Sequence, residues 1–306
     1  MARFILTLLA LSLAAQATLA KPKAARIYRQ AGKSKIVITV TDRLAGAVDS
    51  LIWDGVEFID SADHGRQLQS ASNFDAGGKF IPETFNPTEA GSLSDGAGPK
   101  STSKLIGIQI SPDKRELRTV TQMAFWLRPG EKTQGHPARN TAPLSNHLLT
   151  KHIKIGHGKL DHVLEYTVTF TVPAGENHTF AQFEALTGYM PRRFSSFWKY
   201  IPRKRGLEQL DAGPGEQFYP VVLSTPNGSH AMGVYSPDLP PPGFAGTGYG
   251  RFNFPAAKVN KWNCVYRISE PKGIKPGNYT YRMFVPVGTI ADVALALAAL
   301  HDEFEK

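Results

Sequence analysis

The chain has 306 residues and a single cysteine, Cys264, so no disulfide can form within it. This length can bury a core large enough to fold without a disulfide, which excludes the class of small disulfide-stabilised exported domains. The 35 lysines and arginines exceed the 26 acidic residues, and the net charge of +9 favours anionic partners over cationic ones.

The first twenty residues have the pattern of a cleavable signal peptide. Arg3 carries a positive charge, residues 4–15 are apolar, and small residues lead up to Ala20. The apolar stretch is too short for a membrane-spanning helix, and no later segment reaches that length. We therefore expect residues 21–306 to form a single domain, secreted or periplasmic, with no membrane span.

Apolar and polar residues alternate along much of the remaining chain, which is typical of half-buried β-strands. In chain order, the pattern predicts strands at 36–41, 47–53, 105–110, 117–127, 147–155, 165–172, 219–224, 230–235, 260–268 and 279–287. Strands without intervening helices pair antiparallel, so we expect a mostly β fold, an antiparallel β-sandwich. One C-terminal helix is predicted after Thr289, with Asp292 in a capping position.

Three long segments, residues 60–104, 189–217 and 236–255, interrupt this alternation. Segments of that length in a compact domain are usually functional or disordered. The first contains His64, which can exchange a proton near neutral pH, and Arg66, whose planar donors suit a carboxylate or paired hydroxyls. Glu89 could act as an acid or a base. The amides that match sugar hydroxyls are Gln67, Gln69 and Asn86.

Near the start of the chain, residues 46–51 and 53–57 are followed by the pair Gly65-Arg66. In these residues the chain resembles the galactose mutarotase-like proteins. This resemblance implies the supersandwich fold of that group and a sugar contact for Arg66. The chain departs from the group's pattern in having Gln67-Leu68-Gln69 where Ala-Asn-Arg is usual. Glu216 matches the context of the group's catalytic glutamate only in part.

The second and third segments add further candidates for a sugar site. Aromatic residues interleaved with cations, such as Tyr189 and Trp198, suit stacking on sugar rings that carry acidic groups. Tyr249 and Arg251 lie among glycines in a segment that could bend over a cleft. All three segments could also be structural, with their aromatic residues packed in the core and their polar groups bonded to the backbone.

Two functions are consistent with these residues. The first is an enzyme acting on a poly- or oligosaccharide, which could be acidic. A lyase would use Arg66 with His64 or Tyr249 as the base, and a hydrolase would use Glu89 with Glu184 or Glu216. A mutarotase would need a carboxylate and a histidine. The second function is a non-catalytic glycan-binding or envelope-associated module.

No cofactor is predicted. His147, His152, His157 and His162 are spaced by five residues, and positions five apart on one strand point to opposite faces, so we expect no metal site. Because export separates the protein from most nucleic acid, carbohydrate is the expected partner and nucleic acid is not.

Overall fold

The computed structural model describes residues 24–305, and the predicted signal peptide lies outside them. Three single turns of 3-10 helix, at Asp42–Leu44, Leu93–Asp95 and Pro202–Lys204, accompany the strands and one α-helix. In chain order the elements are β1 (Ala24–Ala31), β2 (Ser34–Thr41), β3 (Val48–Trp53), β4 (Val56–Glu57), β5 (Leu68–Phe74), β6 (Pro87–Thr88), β7 (Lys104–Ile110), β8 (Glu116–Phe125), β9 (Lys132–Thr133), β10 (His136–Pro137), β11 (Leu144–His157), β12 (Leu160–Val172), β13 (Phe180–Pro191), β14 (Ser196–Ile201), β15 (Gly206–Leu210), β16 (Gly215–Gln217), β17 (Val221–Ser224), β18 (Ala231–Val234), β19 (Tyr249–Phe254), β20 (Val259–Ser269), β21 (Gly277–Gly288) and α1 (Ile290–Phe304).

Antiparallel pairing arranges the strands in two rows. The first row runs β1-β2-β3-β5-β13-β20-β19-β16. The second row runs β7-β8-β11-β12-β21-β18-β17-β14-β15. The short strand β6 pairs with β5 of the first row and with β8 of the second, so hydrogen bonds through β6 connect the two rows.

The two rows face each other across one hydrophobic core. Phe170 of β12 and Phe183 of β13 have ring centroids 5.0 Å apart, and Tyr266 of β20 stacks on Tyr281 of β21 at 4.0 Å. Apolar residues from both rows belong to a single buried cluster. The predicted antiparallel β-sandwich is therefore confirmed.

Helix α1 covers the outer face of the second row. Its residues Val293 and Leu297 belong to a second buried cluster with Val163, Val222 and Phe284. Thr289 accepts a hydrogen bond from the Asp292 amide while the Asp292 carboxylate accepts one from Thr289, which confirms the predicted cap. Within residues 24–305, no helix is long and apolar enough to cross a membrane.

Each of the ten predicted strands corresponds to an observed strand, with ends shifted by at most five residues. The three segments predicted to be irregular, however, contain β5, β6, β14, β15, β16 and β19, so that prediction was wrong for those parts. The physical reason is clearest in β5. This strand is covered on both faces, and its small polar residues hide the alternation that marks a half-buried strand.

Candidate functional site

A pocket of about 170 Å³ opens on the outer face of the first row, where β5, β13 and β20 lie side by side. Polar side chains dominate its lining. Amides are contributed by Gln69, Asn73, Asn86 and Gln182, hydroxyls by Thr88 and Thr187, charges by Glu83, Glu184 and Lys261, and aromatic rings by Trp126 and Tyr189.

A bulge in β13 brings the polar residues of that strand to the same face. Glu184 and Tyr189 are five residues apart, so in a regular strand they would point to opposite faces. The pairing of β13 with β20 shifts between Glu184 and Leu186, and the extra residue restores a common face. Across the neighbouring strand, Thr187 lies opposite Gln69.

Glu184 and Lys261 form an ion pair at one side of the pocket, with 3.1 Å between Lys261 Nζ and Glu184 Oε2. Thr187 Oγ1 donates to the same oxygen at 2.9 Å. Burial raises the pKa of Glu184, but the charge of Lys261 and the hydrogen bonds outweigh burial and hold that pKa below its usual range. The carboxylate is therefore ionised at neutral pH.

Lys261 lies between two aromatic rings. Its Nζ is 5.2 Å from the ring centroid of Tyr189 and 5.1 Å from that of Phe252. Burial lowers the pKa of Lys261, but the Glu184 carboxylate more than compensates, and the pKa lies above its usual range. Burial raises the pKa of Tyr189, so its phenol keeps its proton. The pocket thus presents a fixed anion, a fixed cation and a neutral phenol.

The four amides share one property: each is anchored to the protein at one end. Gln69 Oε1 accepts from the Ala90 amide, Asn73 Oδ1 accepts from the Glu83 amide, Asn86 Nδ2 donates to Ser72 O, and Gln182 Oε1 accepts from Arg267 Nε, at 2.6–3.1 Å. Among residues 24–305, none of the opposite amide ends has a hydrogen-bond partner. Three donors (Gln69 Nε2, Asn73 Nδ2, Gln182 Nε2) and one acceptor (Asn86 Oδ1) are thus available to a ligand.

Four of the residues singled out in the sequence line this pocket: Gln69, Asn86, Glu184 and Tyr189. The segments 63–69 and 86–91 do meet at one hollow, as expected, through Gly65, Gln69, Asn86 and Thr88. The functional role of these residues stays a prediction.

The structure places His64, Arg66 and Gln67 outside the lining of the pocket, contrary to the expected convergence on one point. His64 is 1% exposed, and its two ring nitrogens contact the carbonyl oxygens of Gly96 and Arg43 at 2.7 and 3.0 Å. Arg66 Nε donates to Asp63 at 2.9 Å. Gln67 is buried and donates to Asp63 O. These contacts stabilise the loop that borders the pocket.

The remaining candidates also lie elsewhere. Glu89 is fully buried in an ion pair with Lys151, and the Tyr249 hydroxyl is buried and accepts from the Ser236 amide. Trp198 Nε1 donates to Ser224 Oγ at 3.0 Å. The last two are ion-paired: Glu216 with Arg267, and Arg251 with Asp211.

Sequence reasoning missed Lys261, Asn73, Gln182 and Glu83. Lys261 did stand on the polar face of the predicted strand 260–268, next to a predicted core residue, Trp262. The alternation of Gln182 and Glu184 with buried Ala181 and Phe183 was also available as a signal for β13. Among residues 24–305, no group of three His, Cys, Asp or Glu side chains is placed to hold a metal ion.

No protein-family model matches the chain, and no curated protein matches it. Similar solved structures include an α-galactosidase from Lactobacillus brevis (8% identity, 90% of this chain and 41% of that chain, TM-score 0.47). They also include the Slr1438 protein from Synechocystis sp. PCC 6803 (10%, 87% and 96%, 0.45). A third is a proposed aldose 1-epimerase from Klebsiella pneumoniae (9%, 89% and 84%, 0.42).

This chain spans less than half of the α-galactosidase chain. With TM-scores below 0.5, these likenesses carry no argument about the pocket.

Proposed function

We propose that the protein is carbohydrate-active and binds one unit of a poly- or oligosaccharide in the pocket between β5, β13 and β20. The observation that carries this proposal is the set of four amides, each anchored at one end and open at the other. Sugar hydroxyls both donate and accept hydrogen bonds, and such amides match them without reorganising. Trp126 and Tyr189 add aromatic faces for the apolar side of a sugar ring.

Hydrolysis of a glycosidic bond is the reaction that the pocket supports best. Such hydrolysis requires two carboxyl groups beside the bond, and Glu83 and Glu184 both line the pocket. In this proposal Glu184, kept ionised by Lys261, is the base or nucleophile and Glu83 is the acid. Elimination from a uronate would need a cation for the sugar carboxylate, and Lys261 is already paired with Glu184. We therefore favour hydrolysis over elimination.

The second candidate is a non-catalytic glycan-binding or envelope-associated module. One observation favours it: the ion pair with Lys261 lowers the pKa of Glu184 and so weakens that carboxylate as a base. Export, to the periplasm or outside the cell, also belongs to the proposal. It rests on the pattern of residues 1–20.

Incubation with a panel of polysaccharides separates the two candidates. New reducing ends would report hydrolysis, and absorbance from unsaturated uronates would report elimination. For a hydrolase, we expect Glu184→Gln to lower turnover by at least about a hundredfold. The control is Glu208→Gln, which removes the charge of a carboxylate in β15 that is paired with Lys199 and Lys204. Retention on a glycan column with no turnover supports the binding module. Neither turnover nor retention on any glycan contradicts the proposal.

A further inference from the structure

A second pocket, of about 350 Å³, lies where β13 ends and β20 begins. Three cationic residues line it: Arg192 and Arg193 just after β13, and Lys258 just before β20. Asn253, at the end of β19, lies in the same wall. None of these residues belongs to the amide-lined pocket described above.

The backbone that carries these cations is held in place by specific contacts. The Arg192 amide donates to Lys258 O at 3.1 Å, which extends the pairing of the two strands by one step. The buried Asn260 side chain donates to Phe194 O at 3.0 Å. Phe194 itself is fully buried, with its ring centroid 4.9 Å from that of Phe58. The two turns therefore present their cations from a fixed frame.

The three charges have no compensating anion. Among residues 24–305, none of the three side chains forms an ion pair with a carboxylate, and all three are exposed. Like charges gathered around one concavity repel one another and raise the local concentration of anions. The planar guanidinium groups are suited to carboxylate, sulfate or phosphate groups, which accept two parallel hydrogen bonds.

The two pockets are close to each other along the chain. Tyr189 of the amide-lined pocket and Arg192 are three residues apart, as are Lys261 and Lys258, which corresponds to about 10 Å of extended strand. The loop that borders the amide-lined pocket at Gly65 also contacts the turn of Lys258, because Arg66 Nη1 donates to Ala257 O at 3.1 Å. Arg66 thus connects the loop beside one pocket to the turn beside the other.

We infer that Arg192, Arg193 and Lys258 bind the carboxylate or sulfate group of an acidic glycan. A sugar ring of the same glycan occupies the amide-lined pocket with its uncharged face. The inference rests on the proposed function and specifies its substrate class. An acidic glycan is favoured over nucleic acid because the neighbouring pocket offers amides to hydroxyl groups, and because the chain carries the pattern of an exported protein.

The test compares matched pairs of glycans by titration calorimetry at low and moderate salt. The probes are oligogalacturonate and its methyl ester, chondroitin sulfate and its desulfated, carboxyl-reduced form, inorganic sulfate, and single-stranded oligothymidylate. The variants are Arg192→Ala/Arg193→Ala and Lys258→Ala. The control Lys272→Ala/Lys275→Ala removes two exposed lysines outside both pockets. A thermal melt of each variant checks that it is folded.

We expect the acidic member of at least one pair to bind about tenfold or more tightly than its neutral partner. Arg192→Ala/Arg193→Ala should remove that difference without changing the affinity for the neutral partner, and added salt should act in the same way. The lysine control should behave as the wild type.

Equal affinity for the acidic and neutral members of every pair would overturn the inference. So would a preference for the acidic member that survives in both Arg192→Ala/Arg193→Ala and Lys258→Ala. If neutral glycans still bind, the proposed function stands without it. Sulfate alone binding as tightly as any glycan would indicate a free-anion site, and tighter binding of oligothymidylate would indicate a nucleic-acid site; both overturn the inference. Absence of binding to every glycan overturns the proposed function as well.

Discussion

The most deeply buried charges of the described chain are Glu89 and Lys151, both fully inaccessible to solvent. The ammonium also donates to Gly46 O, and the other carboxylate oxygen accepts from the Ser70 amide at 3.1 Å. In the sequence, Glu89 stands in a polar segment and has the appearance of an accessible acid. Its partner Lys151 is 62 residues away, so no local pattern could have shown that the charge of the carboxylate is balanced inside the sandwich.

Replacing one member of this pair should be costly. Lys151→Met leaves the Glu89 carboxylate buried without a counter-ion, and we expect the free energy of unfolding to fall by about 3–5 kcal/mol. Urea unfolding followed by tryptophan fluorescence measures the change. The double variant Glu89→Leu/Lys151→Met removes both charges and should recover most of the loss. A double variant as unstable as the single one would show that the pair is not compensated in this way.

The elements differ in how far the sequence predicts them. Helix α1 has a local signal in Thr289 and Asp292, and β12 and β21 have clean alternation. The start of α1, the end of β12 and both ends of β21 were therefore predicted within two residues of the observed bounds, whereas β12 begins five residues earlier than predicted. Strand β5 and the bulge in β13 have no such signal, because both depend on the strands that pair with them. Four residues of the pocket could therefore be selected by residue type, whereas their arrangement in space could not be predicted.

Close contact between β13 and β20 is required to form the pocket. Gly188 lies opposite Trp262, and a Cβ atom on Gly188 would come within 2.5 Å of the indole ring. We expect Gly188→Ala to lower the free energy of unfolding by about 1–3 kcal/mol, since the fully buried indole has little room to move.

The same variant should weaken glycan binding, because Gly188 lies between Thr187 and Tyr189. Chemical denaturation and calorimetric titration measure the two effects. The matched control is Gly107→Ala in β7, where a Cβ would meet Val120 Cβ only at 4.0 Å. If both alanine variants have wild-type stability, the indole is not confined as described.

At the scale of the molecule, a cluster of two histidines and a carboxylate ties β11 to the connection between β12 and β13. Glu176 Oε2 is 2.8 Å from His147 Nε2 and 3.1 Å from His178 Nε2, and His178 Nδ1 is 2.6 Å from Asp75 O. Burial raises the pKa of Glu176, but the two histidines outweigh burial and lower it to about 2. Burial lowers the pKa of His178, but Glu176 and Asp75 more than compensate and raise it.

These shifts give a pH dependence of stability with a defined sign. A carboxyl with a lowered pKa contributes stability above its ordinary pKa and loses that contribution as the pH falls through its folded value. We therefore expect the free energy of unfolding to fall as the pH is lowered from 4.5 towards about 2. The raised pKa of His178 adds stability that is present below 6.5 and lost as the pH rises through the folded value. Unfolding in urea over this pH range measures both slopes.

Glu176→Gln provides the control for this prediction, because it keeps the shape of the side chain and removes its charge. In this variant both slopes should be smaller than in the wild type. Wild-type and variant curves of the same steepness would show that other groups set the pH dependence.

A crystal structure with a bound oligosaccharide tests directly whether the four amides of the pocket form a sugar site. The crystals would be grown with an oligosaccharide of the glycan whose column retains the protein. We predict a sugar ring whose hydroxyls lie within hydrogen-bond distance of Gln69 Nε2, Asn73 Nδ2 and Gln182 Nε2, beside the Glu184–Lys261 pair. An oligosaccharide bound at another surface, with this pocket holding only water, would contradict the account.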